Sequence, residues 1–269
     1  MPADPSRYTF DTNLGRTGRR VFRLGLSGSY WPGEATLRAG IEGGMNYLFW
    51  YHWDRQMTRV LREVLSRDRE KYVVATGVSN LGDWVARHGV HSALRKLKTD
   101  YIDVFHIFWL GDGRLPPHTL ELLQRLREQG KIRHIAVSTH ARHYAGELVR
   151  RGVLDVLMMR YNAAHRGAEE DIFPFLPLSQ PGVVSYTATR WGKLLQRPRG
   201  WTDRIPTAGD CYRFVLSNPH VDVCLTAPRN ARELEENLAA VAKGPLAPEE
   251  DDFMRRFGDA VHRQHSFFL

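Results

Sequence analysis

Side chains able to move a proton or hold an anion lie at the ends of short apolar runs in this 269-residue chain. Residues 43–54, GGMNYLFWYHWD, carry an apolar run into the rings Phe49, Trp50, Tyr51 and Trp53, with His52 among them and Asp54 last. A phenol, an imidazole and a carboxylate this close together are general acid/base groups. Asp54 with His52 would form an acid/base pair on a rim, and Tyr51 is a further candidate acid. His140 stands two residues past Ser138, so on an extended chain both point the same way. Arg160 shares parity with Met158 and Asn162 and is expected to face the same interior. A guanidinium pointing inward is costly unless it meets water, a carboxylate or an anionic ligand. His140 with Arg160 is therefore the best-placed pair, and NAAHRG adds His165 and Arg166 on the loop that follows. Each also has a plain structural reading: a histidine satisfied at a rim, or an arginine capping a carbonyl.

The elements that must position these groups alternate regularly. Short β-branched or apolar runs at 24–26, 46–50, 72–76, 104–108, 135–138, 156–161, 183–187 and 223–225 read as strands. Amphipathic stretches such as 58–66, 92–98, 117–128 and 231–242 lie between them. Glu121, Arg125 and Glu128 share a polar face opposite Leu120, Leu123 and Leu126 or Leu122. Gly130 and Gly152 are placed as helix stops. Eight βα units without a long composition break predict one α/β domain over 1–269, a (β/α)8 TIM barrel. An open doubly wound sheet would need a glycine-rich phosphate turn after its first strand, and Gly25, Gly28 and Gly33 have the wrong spacing for it. Residues 8–22 are expected to form an N-terminal hairpin, Tyr8–Phe10 against Arg20–Phe22 around NLGRTG, plugging the barrel floor. Residues 1–7 are expected to be flexible.

The bulk numbers exclude several classes. Apolar residues make up 42% of the chain, enough for a large core, and no uninterrupted apolar stretch is long enough for a membrane span. The N-terminus lacks a signal-peptide core. Two cysteines, Cys211 and Cys224, without CxxC spacing argue for a reducing cytoplasm and against a disulfide framework or a structural zinc. The net charge of +8 raises the question of nucleic acid. The arginines are dispersed over helices, as at Arg59, Arg62, Arg67, Arg69, Arg125, Arg127, Arg150 and Arg151, with no basic run and no RNA-binding aromatic motif. That reads as a solvated surface which would also suit an anionic ligand such as a dinucleotide.

Several stretches together point to one family. LGRTGRRVFRLGL, GGMNYLF, LRKLKTDYIDVFHIFW, GKIRHIAVST, RYNAAHRGAEEDIFPFL, VLSNPHVDV and ARELEENLAAV occur in family order over about residues 13–242, and the chain resembles the aldo/keto reductases. The resemblance implies the same barrel, with NADP(H) across the C-terminal rim and reduction of aldehydes or ketones by an Asp, Tyr, Lys and His tetrad. In that family the tyrosine protonates the forming alkoxide, the Asp–Lys pair lowers its pKa, and the histidine orients the carbonyl. The corresponding positions here carry Phe49, Asp54, Gly77 and Phe108. His106 shares a face with Phe108 one layer deeper, and Lys71 lies at the far end of its strand.

On the cofactor side the resemblance assigns Ser138 to the nicotinamide carboxamide, with Thr139 where an Asn is usual and Met158 where a Gln is expected. Tyr186 matches the ring stacked on the nicotinamide, Thr187 follows it, and Asn162 joins this set. The family's glycine-rich turn is altered to Thr189-Arg190-Trp191-Gly192, and Arg190 is kept as a candidate cofactor-binding residue. Arg229, Asn230, Glu233, Glu236 and Asn237 match positions that meet the 2′-phosphate and adenine, although LEEN is also an ordinary helix face. Two functional expectations follow. One is an NADP(H)-linked oxidoreductase whose proton donor has moved to His140, Tyr51 or Asp54. The other is a non-catalytic or non-redox barrel, a pseudoenzyme, whose aromatic mouth binds a flat apolar ligand or a partner. Neither nucleic acid nor a membrane is an expected partner.

Overall fold

A computed structural model describes residues 10–108, 110 and 114–264. Eight parallel strands close into a barrel in chain order: β3 (Leu24–Ser27), β4 (Tyr47–Phe49), β5 (Val73–Ser79), β6 (Ile102–Phe108), β7 (Ile132–Ser138), β8 (Val156–Arg160), β9 (Gly182–Tyr186) and β10 (Val223–Thr226), with β10 returning to β3. The strands are largely apolar on both faces, since one side fills the barrel and the other meets a helix, with polar exceptions such as Asp103 and His106 on β6. Tyr47, Val73, Val104, Val156 and Val223 fill the inside, whereas Leu48, Val74, Phe105 and Leu157 belong to the layer under the helices.

All eight expected strands are present, with shifted ends. β5 runs on to Ser79 and β6 starts at Ile102. The helices over the barrel are α1 (Glu34–Glu42), α2 (Arg55–Arg67), α3 (Asp83–Leu97), α4 (Pro117–Glu128), α5 (Arg142–Arg151), the short α6 (Ala168–Asp171) and α7 (Leu176–Ser179), α8 (Ala208–Ser217), α9 (Ala231–Val241) and α10 (Pro248–Gln264). α4 has the expected bounds, and Arg125 and Glu121 pair at 3.9 Å on its outer face. α3 begins nine residues before the stretch read from sequence, because Trp84 is exposed and Gly89 sits against Val78, which hides the helical period of its first half.

The hairpin is real but its first strand is misplaced by the sequence reading. β1 is Asp11–Asn13, paired antiparallel with β2 (Arg20–Phe22), and Phe10 lies outside the ladder. Tyr8 and the expected flexible stretch 1–7 lie outside the described residues. Leu14 and Val21 are fully buried among the interior side chains, so the hairpin closes the barrel floor. A β-carbon at Gly182 would stand 2.7 Å from Leu14, which makes this a backbone-to-plug contact that requires glycine. Among the described residues no helix is long and apolar enough to cross a membrane.

Candidate active site at the barrel mouth

The C-terminal ends of the strands form the mouth, the place where a barrel of this kind carries its chemistry. On its β4–β6 side the mouth is aromatic. Phe49 is buried and meets Tyr51 edge-on at 5.1 Å, His106 at 5.9 Å and Phe108 at 6.0 Å between ring centres. Tyr51 stacks in turn on the exposed Trp53, at 4.6 Å and 11°. Trp50 points the other way, under α2, where its indole N–H donates to Thr58 Oγ1 at 2.9 Å. His106 lies one layer below Phe108, stacked on it at 5.6 Å. Both its ring nitrogens are buried without a partner, and burial holds its pKa down at about 3. It is a neutral core ring.

Asp54 is not a rim acid. Its side chain caps α2, Oδ1 accepting from the Met57 N–H at 2.9 Å, and only 3% of the residue is exposed. Burial raises its pKa against the opposing pull of the Met57 and Gln56 amides. His52 is exposed, and its ring lies edge-on to Trp53 rather than on Asp54. The expected Asp54–His52 pair is therefore corrected: the carboxylate is engaged by a helix start that sequence periodicity placed three residues too late.

Gly77 pairs in register with His106 on β6. A β-carbon there would lie 2.2 Å from the His106 carbonyl oxygen and 2.7 Å from its Cβ, so this position admits no side chain without moving backbone.

The polar side of the mouth is built by β7, β8 and β9. Tyr186, at the end of β9, places its hydroxyl 3.2 Å from Nε2 of His140, just beyond β7. Burial pushes the Tyr186 phenol up to about 12, against a hydrogen bond with Ser138 and the nearby charge of Arg160. The His140 pKa is lowered, first by burial and then by Arg160. Arg160 ends β8 between them, half-buried, with Nη1 buried and unpaired. So His140 and Arg160 do come together, and Tyr186 joins them. Side chains at one level of a barrel come from alternate strands, which is why β7 and β9 meet across β8. That rule was the signal available in the sequence for this contact. Tyr51 is close enough to Tyr186 to bear on its ionisation, and burial raises its own pKa.

The remaining expected cofactor residues divide. Ser138 is buried at the end of β7 beside Tyr186. Asn162 is fully buried and spent on structure, donating to the Thr187 carbonyl at 2.9 Å and accepting from the Ala164 N–H at 3.0 Å. Thr187 has a positive φ of 57° and bonds its hydroxyl to the Tyr186 carbonyl. Arg190 is buried and donates to the Val261 carbonyl of α10. Asn230 caps α9 by accepting from the Glu233 N–H at 3.0 Å, and Glu233 accepts from the Arg229 N–H at 2.8 Å. Glu236 pairs with Arg232, and the buried Asn237 reaches Thr226 at 3.2 Å. Arg229 is the exposed cation at this helix start, with its guanidinium 5.6 Å from the Tyr30 ring centre. A phosphate would be met there by an exposed arginine just before the start of an eleven-residue helix.

Residues 50–203 match the aldo/keto reductase family, and the chain belongs to it. Methylglyoxal reductase YeaE of Escherichia coli is 29% identical over 191 residues, 67% of this chain and 66% of that protein. L-galactose dehydrogenase of Arabidopsis thaliana is 24% identical over 281 residues, covering 86% of this chain and 87% of the plant enzyme. Among solved structures, the holo form of aldo-keto reductase AKR11C1 from Bacillus halodurans superposes with a TM-score of 0.78 at 21% identity, over 94% of this chain and 97% of that one. An aldo/keto reductase from Klebsiella pneumoniae in complex with NADP and acetate gives 0.75 at 24% identity, over 92% and 95%. These likenesses establish the barrel fold.

Proposed function

We propose that this chain is an NADP(H)-linked oxidoreductase of carbonyl compounds whose proton path runs through His140 and Tyr186 in place of the family tetrad. The observation that carries the reading is the 3.2 Å contact between the Tyr186 hydroxyl and His140, beside the Arg160 guanidinium at the strand ends. The matched relatives are named as a methylglyoxal reductase and an L-galactose dehydrogenase, and one similar structure holds NADP, which supports both the reaction class and the cofactor. The dinucleotide, when bound, supplies two electrons and a hydrogen to the carbonyl carbon.

This chain's own residues supply the rest. Arg229 at the start of α9 would take a phosphate, while Ser138 and Tyr186 would hold the nicotinamide end. His140 is exposed to solvent, so one ring nitrogen can take a proton from water while the other passes its own to the Tyr186 oxygen as the phenol gives its proton to the carbonyl oxygen. Arg160 favours the phenolate form in that exchange. Asp54 is excluded as the donor by its capping role, and Tyr51 is a lesser candidate because its ring is held against Trp53. The close approach at Gly77 supports the view that the tetrad chemistry has been replaced and not merely slipped by a residue.

Titration with NADPH and NADH, followed through quenching of the seven tryptophans, tests the cofactor. Micromolar binding that Arg229→Ala weakens at least tenfold is expected, and no binding up to millimolar concentration would sink the proposal. A panel of aldehydes, ketones and quinones then tests the reaction. Tyr186→Phe and His140→Gln should each lower kcat, and unchanged rates in both would remove the proton path.

One observation favours the second reading, a ligand-binding barrel without redox turnover. Tyr30, Trp31, Trp53, Trp84 and Trp191 are all exposed on loops or helix starts that follow strand ends. Exposed aromatic side chains at that end of the barrel suit a flat apolar ligand, and binding of such ligands without dinucleotide affinity would decide for it.

A further inference from the structure

We propose that Arg160, with His165 beside it, forms a carboxylate-binding site at the barrel mouth; that the bound acid is a substrate rests on the oxidoreductase reading above. Arg160 Nη1 is buried and has no hydrogen-bond acceptor, and no carboxylate among the described residues forms an ion pair with this side chain. Nε2 of His165 is buried and unpartnered in the same way. Both residues line one small cavity, together with Thr139, His140 and Arg142. Two orphaned nitrogens on residues that line one cavity call for an acceptor that the protein itself does not provide.

The nearby acids are already engaged. Asp171 takes Arg142 at 2.7 Å and His143 at 3.4 Å. Glu169 takes Arg255 at 3.1 Å and the Tyr161 hydroxyl at 2.6 Å. Asp259 takes Arg166 at 2.7 Å. Arg160 is thus left as a half-buried positive charge without an anionic partner, which a ligand anion would neutralise. The cavity is narrow and admits an oxygen atom of an anion. A guanidinium fork also matches a carboxylate in two-point contact. The body of the ligand would lie towards Tyr186 and Tyr51, on the aromatic side. The substrate class is therefore a carbonyl compound that carries a carboxylate, preferably with a flat apolar body.

The test uses benzoate, its neutral isostere benzamide and inorganic phosphate, titrated without dinucleotide by thermal shift and tryptophan fluorescence. Benzoate is expected to bind at least tenfold tighter than benzamide or phosphate. Arg160→Met should weaken benzoate at least tenfold without lowering the melting temperature, because it removes a half-buried charge that has no ion-pair partner in the fold. Arg160→Lys, which keeps charge but not the fork, should fall between and serves if the methionine variant does not fold. Equal affinity for benzoate and benzamide, tighter binding of phosphate, or an unchanged Arg160→Met or Arg160→Lys would overturn the proposal. NADPH titration of the same samples separates the two readings. NADPH binding with benzoate failing removes the carboxylate site alone. Benzoate binding with NADPH failing supports the site and removes the oxidoreductase reading.

Discussion

Gly77 and His106 lie side by side on β5 and β6, so close that a β-carbon on the glycine would stand 2.2 Å from the histidine carbonyl oxygen. The obstacle is backbone in the wall of a closed barrel, and it has little freedom to retreat. Gly77→Ala should therefore destabilise by about 3 kcal/mol, at the upper end of overpacking costs. Gly77→Lys should be at least as harmful and should not restore an ion pair at this position. Urea unfolding of both variants checks this. A loss under about 0.5 kcal/mol would mean the two strands part easily.

Asp54 illustrates a residue whose role is set by the helix after it. Its carboxylate accepts the Met57 N–H at 2.9 Å, and a β-carbon on Gly28 would lie 2.1 Å from its Oδ2. Asp54→Ala should cost about 1–2 kcal/mol, as for other lost N-caps, whereas Asp54→Asn should cost a few tenths. Asp54→Tyr, which would put the family's residue in its slot, loses the cap and also meets Gly28. It should be the least stable of the three by thermal unfolding.

How far the sequence carries depends on which forces act locally. Barrel strands were legible because burial on both faces leaves continuous apolar runs, and errors fell where those runs fade, as at Gly77–Ser79 of β5. α2 begins with Arg55 and Gln56, which show no apolar period, so its start and the capping role of Asp54 were hidden. The mouth was half legible. Parity along β7 and β8 places His140 and Arg160 on one side, but their meeting with Tyr186 depends on which strands share a layer in the closed barrel. Asn162 and Asn237 carry the family pattern, yet their amides are engaged within the barrel wall and the α9 contact. Motif spacing does not report such hydrogen bonds.

The barrel floor is held by a buried ion pair. Asp103 is fully buried and accepts from Arg69 at 2.7 Å and from the Val74 N–H at 3.0 Å. Arg69 and Arg133 each lie 3.7 Å from the centre of the Tyr101 ring. Removing one partner strands the other charge, so Arg69→Ala should cost about 3–5 kcal/mol. Arg69→Ala together with Asp103→Asn should cost less than the sum of the two single changes. Chemical denaturation of the three variants measures that coupling.

Two carboxylates on the floor should give opposite pH dependences. Arg133 and Tyr101 hydrogen bonds hold Glu70 down at about 2, so its contribution is present above pH 4.5 and is lost as pH falls towards 2. Glu70 is largely exposed, and its effect is expected to be small and sensitive to salt. Asp222 is shifted the other way. Burial raises it to about 6 from 3.8, although it accepts the Gly15 and Val183 N–H groups at 3.1 and 2.9 Å. Its protonated form is favoured in the fold, so its contribution is complete below pH 3.8 and is lost as pH rises through 6. A shift of about two units at about 1.4 kcal/mol each sets an upper scale of about 3 kcal/mol. Asp222→Asn keeps an acceptor for the hairpin turn and removes the titration. The variant should be more stable than the parent at pH 7 and should lose the slope between pH 4 and 6. Thermal unfolding across that range measures it, and a parent whose stability rises with pH there, with the variant following it, would show that Asp222 is not the group responsible.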